Sequence, residues 1–335
     1  MSRVLVLGSG AWGTAIALSL HRRGGHQVTL WAHSPEFARQ ILNAGENKQF
    51  LPGFPIPAGI TVTGDCAVAH NADVVVSVIP SEFLRPTLFR IRPHLRIGQF
   101  VVSATKGLED SSLLRMTQVI SSTLEPAGLL LSIGALSGPS FALEVAQGQP
   151  TAVTVAFGDP QIATLIQQEF SSETLRLYTS TDVVGIELGG ALKNVIAIAA
   201  GIAVGVGLGY NSSAALITRG IVEITRLAVA CGARRETLAG LSGVGDLVLT
   251  CTGSLSRNRT VGEALGQGRK LPEILESLGG KVAEGVRTTR AALGLAGMYG
   301  VEMPITEQME LILNKGKDPR EAIRDLMLRP GKEEQ

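Results

Sequence analysis

The chain has 335 residues, 45% hydrophobic and 18% charged, which suffices for two domain cores and excludes an intrinsically disordered chain. A formal charge of +1 argues against broad electrostatic binding to nucleic acid or an anionic membrane, while leaving room for a local basic pocket. The 40 glycines fall between apolar runs rather than in a repeat, which reads as many tight turns. Cys66, Cys231 and Cys251 are odd in number, far apart and without a CxxC pair, so they read as thiols, not as a disulfide framework or a metal site. The N-terminal residues enter a strand-like run without the features of a signal peptide. The longest apolar segment, 195–208, contains three glycines and falls short of the ~20 residues that span a bilayer. A cytoplasmic chain without stable membrane insertion is expected.

In chain order, strand-like runs are predicted at 4–7, 27–31, 60–63, 74–78, 100–103, 131–135, 152–156 and 175–178. Helical patterns stand between them at 13–23, 35–44, 83–91 and 112–123. Strands alternating with helices imply right-handed βαβ units and a mostly parallel sheet. After about residue 181 the texture changes and strand signals become few. Long Ala/Ile/Leu-rich stretches cover 185–231, broken near 205–211, and further helices are read at 263–265, 274–278, 288–298 and 309–313. The expectation is an α/β Rossmann-type domain over 1–180 and an all-α domain over 181–330.

The first strand is fully apolar, as suits the centre of a parallel sheet, and runs into Gly8-Ser9-Gly10-Ala11-Trp12-Gly13 and a helix. In such a turn Gly8 permits the bend, Gly10 lets the backbone approach a pyrophosphate, and Gly13 lets the helix pack on the strand. The helix N-terminus supplies donors to phosphate. Because strand, glycines and helix all occur in order, the turn reads as a dinucleotide site and not as a structural loop. The second strand ends in Trp31-Ala32-His33-Ser34, without the Asp or Glu that usually binds a ribose 2′-hydroxyl. His33, Ser34 and Arg39 suit a 2′-phosphate, hence NADPH ahead of NADH; otherwise His33 is an ordinary loop histidine.

Three segments leave strands at the carboxyl edge, where ligands of open α/β sheets bind. They are 79–81, Thr105-Lys106-Gly107-Leu108-Glu109, and Ser137-Gly138-Pro139-Ser140-Phe141. In the helical half, Gly189-Gly190-Ala191-Leu192-Lys193-Asn194 places a lysine at the start of a very apolar helix. Buried there with Lys106 nearby, Lys193 would have a lowered pKa; alternatively it snorkels its charge to the surface. Asp246 in Gly243-Val244-Gly245-Asp246 reads either as a site carboxylate or as an N-cap. Ser256-Arg257-Asn258-Arg259 offers phosphate donors, or is a solvated basic loop.

Together these segments resemble the bacterial NAD(P)-dependent glycerol-3-phosphate dehydrogenase family. The matching stretches are GSGAWGTA (8–15), NKQFLPG (47–53), TKGLE (105–109), SGPSFALE (137–144), GALKNVIAIAAG (190–201), NSSAALITRG (211–220), GVGDLVLTCTG (243–253), SRNR (256–259) and VAEGVRT (282–288), in the family's order. The resemblance implies reversible hydride transfer between NAD(P)H and dihydroxyacetone phosphate, giving sn-glycerol 3-phosphate for phospholipid synthesis. It implies catalytic roles for Lys193, Lys106 and Asp246, and substrate contacts from Lys106, Gly138, Ser140, Lys193, Asp246, Ser256, Arg257 and Asn258. It also implies cofactor contacts from Gly8, Gly10, Ala11, Trp12, Gly13, His33, Lys106, Ala142, Arg257, Val282 and Glu284, with no metal. Two positions depart from the pattern: Ser213 stands where relatives often carry a basic residue, and Ala11 replaces a serine found in some members.

Two rival readings follow from the residues. A two-domain β-hydroxyacid reductase would share the helical-domain lysine but bind a carboxylate and not need the SRNR run. A non-catalytic dinucleotide sensor would keep the glycine turn without the lysines. Exposed apolar surface on the helical domain would favour a homodimer.

Overall fold

The apolar run at 4–7 lies in the strand β1 (Ser2–Leu7), followed by α1 (Ala11–Arg23), β2 (His26–Trp31) and α2 (Pro35–Ala44). This computed structural model describes residues 2–278, 283–331, 333 and 334. A two-stranded antiparallel ribbon, β3 (Glu46–Asn47) and β4 (Leu51–Pro55), precedes β5 (Ile60–Thr63), β6 (Val74–Ser77) and α3 (Ser81–Ile91). Then come β7 (Phe100–Ser103), α4 (Met116–Leu124), β8 (Ser132–Ser137), α5 (Ala142–Gln147), β9 (Thr151–Ala156), α6 (Pro160–Phe170) and β10 (Leu175–Ser180).

The main sheet has the order β10-β9-β8-β7-β6-β1-β2-β5, parallel except where β9 runs antiparallel to β8. The chain builds outward from β1 to β2 and β5, then returns to add β6, β7 and β8 on the other side of β1. The loop leaving β1 therefore stands at the topological switch point, where the two directions of winding part and a crevice opens. Val4, Val6, Val28, Leu30, Val74, Val76 and Val102 are all nearly inaccessible, as expected of strands covered on both faces.

All eight predicted strands of this sheet exist. The helix expected over 112–123 instead runs Met116–Leu124. The residues before it form a loop closed by an isolated antiparallel bridge between Leu108 and Arg115, with Leu113 at a left-handed φ of 60°.

The chain divides into two compact units. One holds the chain up to Lys106 together with Met116–Val183; the other holds Gly107–Arg115 and the chain from Val184 onward. The second unit is helical: α7 (Val183–Gly205), α8 (Tyr210–Ala230), α9 (Arg235–Leu238), α10 (Asp246–Thr252), α11 (Arg257–Gly266), α12 (Leu271–Ser277), α13 (Glu284–Tyr299), α14 (Pro304–Lys315) and α15 (Pro319–Met327). The break expected near 205–211 is the turn between α7 and α8.

The apolar segment read as 195–208 extends back to Val183, so α7 is long enough to cross a bilayer. However, 89% of its most apolar window is buried inside the protein, the signature of a core helix that is hydrophobic all round. Its close neighbour is α11. A Cβ on Gly201 would lie 2.0 Å from the Arg259 carbonyl oxygen, and one on Gly262 would lie 2.0 Å from that of Ile198. These glycines serve helix contact, not turns.

Candidate functional site

In the sheet unit the glycine turn is built as its sequence suggests. Gly8 has φ 124°, and a Cβ there would press within 3.0 Å of the Val78 carbonyl oxygen. A Cβ on Gly13 would fall 1.8 Å from the Gly8 carbonyl oxygen, so only glycine lets α1 start this close to β1. A Cβ on Gly10 would meet nothing within 4 Å; that side of the turn is open space, the room a pyrophosphate needs. Gly10 caps α1 without a side chain, so the first-turn amides of Ala11, Trp12 and Gly13 face a site that favours an anion. Trp12 Nε1 is buried and has no hydrogen-bond partner among the described residues, a donor left for a ligand. A cradle of bare backbone, helix amides and one spare donor fits a dinucleotide diphosphate.

A brace behind this turn escaped the sequence reading. Asn47, fully buried in the β3–β4 ribbon, donates through Nδ2 to the Ser9 carbonyl (2.8 Å) and to Thr14 Oγ1 (2.9 Å). Its Oδ1 accepts from the Phe50 amide at 3.2 Å. The NKQF run carried the signal, but only as part of a family pattern.

At the end of β2, His33 is exposed and its ring lies 5.5 Å from that of Phe37. Ser34 is the N-cap of α2, accepting from the Phe37 amide at 3.1 Å. Arg39 is paired with Glu36 at 3.0 Å, both exposed. A cation that the sequence did not single out stands closer: the Arg90 guanidinium lies 5.5 Å over the Trp31 ring and donates to the His33 carbonyl at 3.2 Å.

The three edge loops interlock. Thr105 Oγ1 donates to the Ile79 carbonyl at 2.8 Å, and Lys106 Nζ donates to the Gly138 carbonyl at 3.2 Å. Ser140 Oγ donates to the same carbonyl at 3.0 Å. Gly138 has φ 144°, and a Cβ there would come within 2.9 Å of Val153 Cα. Lys106, Gly138 and Ser140 thus share one local cluster, and Ala142 opens α5 beside it.

In the helical unit, Lys193 lies in the middle of α7, ten residues past its start, because the helix begins at Val183 rather than near Gly189. Lys193 is 6% exposed, so it does not snorkel. Its Nζ donates to Asp246, itself 1% exposed, and to Thr250 Oγ1 at 2.7 Å. The Thr250 hydroxyl in turn donates to the Asp246 carbonyl at 2.6 Å, one turn back on α10. Asp246 is not an N-cap; it is the first residue of α10, just after the π-helical turn Leu241–Gly245.

The approach depends on small residues. Gly189 shares the Lys193 face of α7, being four residues earlier, and a Cβ there would lie 2.5 Å from the Ser242 carbonyl oxygen. Gly243 permits the tight turn, since its Cβ would lie 1.9 Å from the Leu238 carbonyl oxygen. A carboxylate thus stands beside Lys193 in this unit and fixes the direction of its Nζ.

Near this pair, Ser256 caps α11 by accepting from the Arg259 amide at 3.2 Å. Asn258 is buried, donating through Nδ2 to Asn194 Oδ1 and accepting from the Gly285 amide, both at 3.0 Å. Asn194, next to the lysine on α7, is thereby linked to α11 and α13. The Arg257 side chain is exposed in total area, but its charged head stands among many protein atoms. That desolvation lowers its pKa from the ordinary arginine value, while Glu284, the first residue of α13, opposes the shift. Val282 lies outside the described residues. A second ion pair, the half-buried Arg115 with the buried Glu187, ties the 107–115 loop to α7 and was not anticipated.

A parallel sheet opening on a glycine cradle, followed in the same chain by a helical unit with a buried lysine–aspartate pair, is the build of a two-domain dinucleotide-dependent dehydrogenase. Comparison with known proteins narrows the class. Residues 3–163 match the family described as NAD-dependent glycerol-3-phosphate dehydrogenase N-terminus, and residues 182–324 match its C-terminus. The chain is 59% identical to glycerol-3-phosphate dehydrogenase [NAD(P)+] of Acidobacterium capsulatum, covering all of both chains. It is 57% identical to the protein of the same name from Koribacter versatilis, covering 98% of each. The crystal structure of glycerol-3-phosphate dehydrogenase from Coxiella burnetii superposes with a TM-score of 0.92 at 36% identity, covering 98% of this chain and 99% of that one. The chain belongs to the NAD-dependent glycerol-3-phosphate dehydrogenase family.

Proposed function

We propose that the chain catalyses reversible hydride transfer between NAD(P)H and dihydroxyacetone phosphate, producing sn-glycerol 3-phosphate. The observation that carries this reading is the buried Lys193, held by Asp246 and Thr250 in the middle of an apolar helix. A charged lysine is rarely taken out of water without a use or a partner that repays the cost.

A bound nicotinamide supplies the hydride to the ketone carbon. Lys193 gives an Nζ proton to the oxygen of that carbon as it becomes an alcohol, and its neutral form takes the proton back in the reverse direction. Asp246 and Thr250 aim the ammonium. Lys106 stabilises the negative charge that develops on the substrate oxygen, with Gly138 and Ser140 shaping its loop. Arg257, Ser256 and the free amide hydrogen of Asn258 hold the substrate phosphate.

Gly8, Gly10, Ala11, Trp12 and Gly13 bind the diphosphate, while Ala142, Val282 and Glu284 complete the cofactor contacts. The absence of a carboxylate after β2, together with His33, favours NADPH over NADH. Exposed apolar side chains of the helical unit, such as Tyr210 at 95% and Met298 at 71%, suit association as a homodimer. A cytoplasmic role supplying phospholipid synthesis fits the product.

The test is NADPH oxidation with dihydroxyacetone phosphate as substrate. Lys193→Met should keep cofactor binding and lose turnover by several orders of magnitude. Near-normal turnover in that variant overturns the assignment of the proton donor. An Arg257→Ala variant with unchanged KM for dihydroxyacetone phosphate removes the phosphate role and favours a carboxylate substrate.

A further inference from the structure

We propose that Arg90 is the residue that reads the adenosine 2′-phosphate, and so sets a preference for NADPH. The inference rests on the dinucleotide reading above and assigns its selectivity to a side chain that no motif contains.

The position is defined by the sheet. The Gly8 amide donates to the Trp31 carbonyl at 3.1 Å, so the glycine turn and the end of β2 are bonded neighbours. Beyond the carboxyl end of the strand next to β1 lies the ribose of a dinucleotide bound at such a turn. NAD-selective sites place a carboxylate there to accept from the 2′-hydroxyl. Here the residues are Trp31-Ala32-His33-Ser34-Pro35, and the first carboxylate, Glu36, is engaged by Arg39. A phosphate at this point meets no fixed negative charge from the loop.

Arg90 supplies the positive one. It lies near the C-terminal end of α3, 57 residues along the chain from His33, and reaches the β2 loop through two contacts. Its guanidinium carbon stands 5.5 Å from the centroid of the Trp31 ring, which is 1% exposed and so fixed in place. One Nη1 hydrogen goes to the His33 carbonyl at 3.2 Å. That leaves four of the five guanidinium donors, and among the described residues no carboxylate pairs with it. The residue is exposed, so the charge is accessible to a ligand. A planar fork stacked on an indole is pre-ordered for bidentate phosphate binding, so less side-chain entropy is lost on contact. Arg39, the cation nearer in sequence, stands beside Glu36 at 3.0 Å, so the charge it presents to a phosphate is shared with a carboxylate.

The experiment uses ligand fragments, so it does not depend on turnover. Isothermal titration of the full-length protein with 2′,5′-ADP and with AMP isolates the 2′-phosphate, and KM for NADPH and NADH is measured alongside. Arg90→Ala should weaken 2′,5′-ADP roughly 10- to 100-fold, the range of one or two charge-assisted hydrogen bonds, and leave AMP unchanged. KM for NADPH should rise by a similar factor while that for NADH stays constant. Arg90→Lys should recover part of the loss, and Arg39→Ala should have little effect. Unchanged AMP binding shows that the variant is folded. If the wild-type protein does not distinguish 2′,5′-ADP from AMP, the NADPH preference itself falls. If the wild-type protein distinguishes them and Arg90→Ala does so equally well, the preference stands and the role of Arg90 is overturned. A variant that weakens both ligands equally overturns it too.

Discussion

The Lys193–Asp246 pair makes the sharpest energetic prediction. Side-chain exposures of 7% and 1% place both charges in the desolvated regime rather than among surface ion pairs worth about 0–1 kcal/mol. Replacing Asp246 by Leu removes the carboxylate that accepts from Lys193 Nζ and keeps the Thr250 hydroxyl contact at 2.7 Å. Breaking a buried pair from one side costs about 3–5 kcal/mol, and Lys193→Met should cost a similar amount by removing the cation that faces a buried carboxylate. The double variant Lys193→Met/Asp246→Leu removes both charges of the pair together. It should recover at least ~2 kcal/mol of the summed losses, since directly contacting residues couple this strongly. The assay is urea denaturation of the four proteins without ligand. Far-UV circular dichroism is the readout, because both tryptophans, Trp12 and Trp31, belong to the sheet unit. Additive losses, or single variants that lose less than ~1 kcal/mol, would refute the reasoning and mean that water reaches the pair.

Gly10→Ala should melt like the wild-type protein, since its Cβ enters open space, yet lose the rise in melting temperature that NADPH produces. Gly13→Ala should lower the ligand-free melting temperature by about 4–8 °C, because its Cβ overlaps the Gly8 carbonyl and overpacking costs ~1–3 kcal/mol; reversed effects would show that the two glycines have other roles. The Asp73 carboxyl is held at about 2, first by the hydrogen bonds from Arg3 and then by the charges of Arg3 and Arg96. A lowered carboxylate pKa stabilises the fold above the unfolded value near ~4, and that contribution disappears as pH falls towards 2. After allowance for solvent at this partly exposed site, Asp73→Asn should cost about 1 kcal/mol at pH 7. Its urea midpoint should converge on the wild-type value as pH falls through 4 and 3, and a gap that stays constant with pH would exclude the ionic origin.

The sheet was legible because its strands are short β-branched runs bounded by turn residues, and their centres tolerate little else. Strand direction was less so. The reversal at β9 follows from the short α5 connection ending at Gly148, which the residue pattern of 152–156 does not reveal. The glycine turn was readable from local chemistry because strand, turn and helix are contiguous. Lys193 was not: its partner is 53 residues away, and the residues around it fitted snorkelling as well as burial. The helix start was misplaced for a related reason, since α7 is apolar from end to end and offers no amphipathic edge from which to count. Arg90 carries no signal at all in the sequence, as an arginine on the exposed side of a helix looks solvated until the fold brings Trp31 beneath it.

The glycine content connects these observations. Read as sequence, the excess implies turns, and at Gly8 and Gly138 it does mark positive φ. In the helical unit it means something else. Gly201 and Gly205 on α7 face Gly262 and Gly266 on α11, each pair four residues apart, and Cβ atoms there would lie 2.0–2.6 Å from carbonyl oxygens of the opposite helix. Gly189 repeats the device against Ser242, and Gly285 repeats it against the Asn194 carbonyl at 2.5 Å. Each glycine in a helix interior forfeits about 0.5–1 kcal/mol relative to alanine. The return is a backbone-to-backbone approach that side chains of any size would prevent. On α7 these contacts bracket Lys193, from Gly189 before it to Asn194 and Gly201 after it. A helix clamped by backbone on both sides of its lysine cannot readily rotate or slide. The ammonium is thus held in register with Asp246 by the main chain, so its aim does not depend on the ion pair alone.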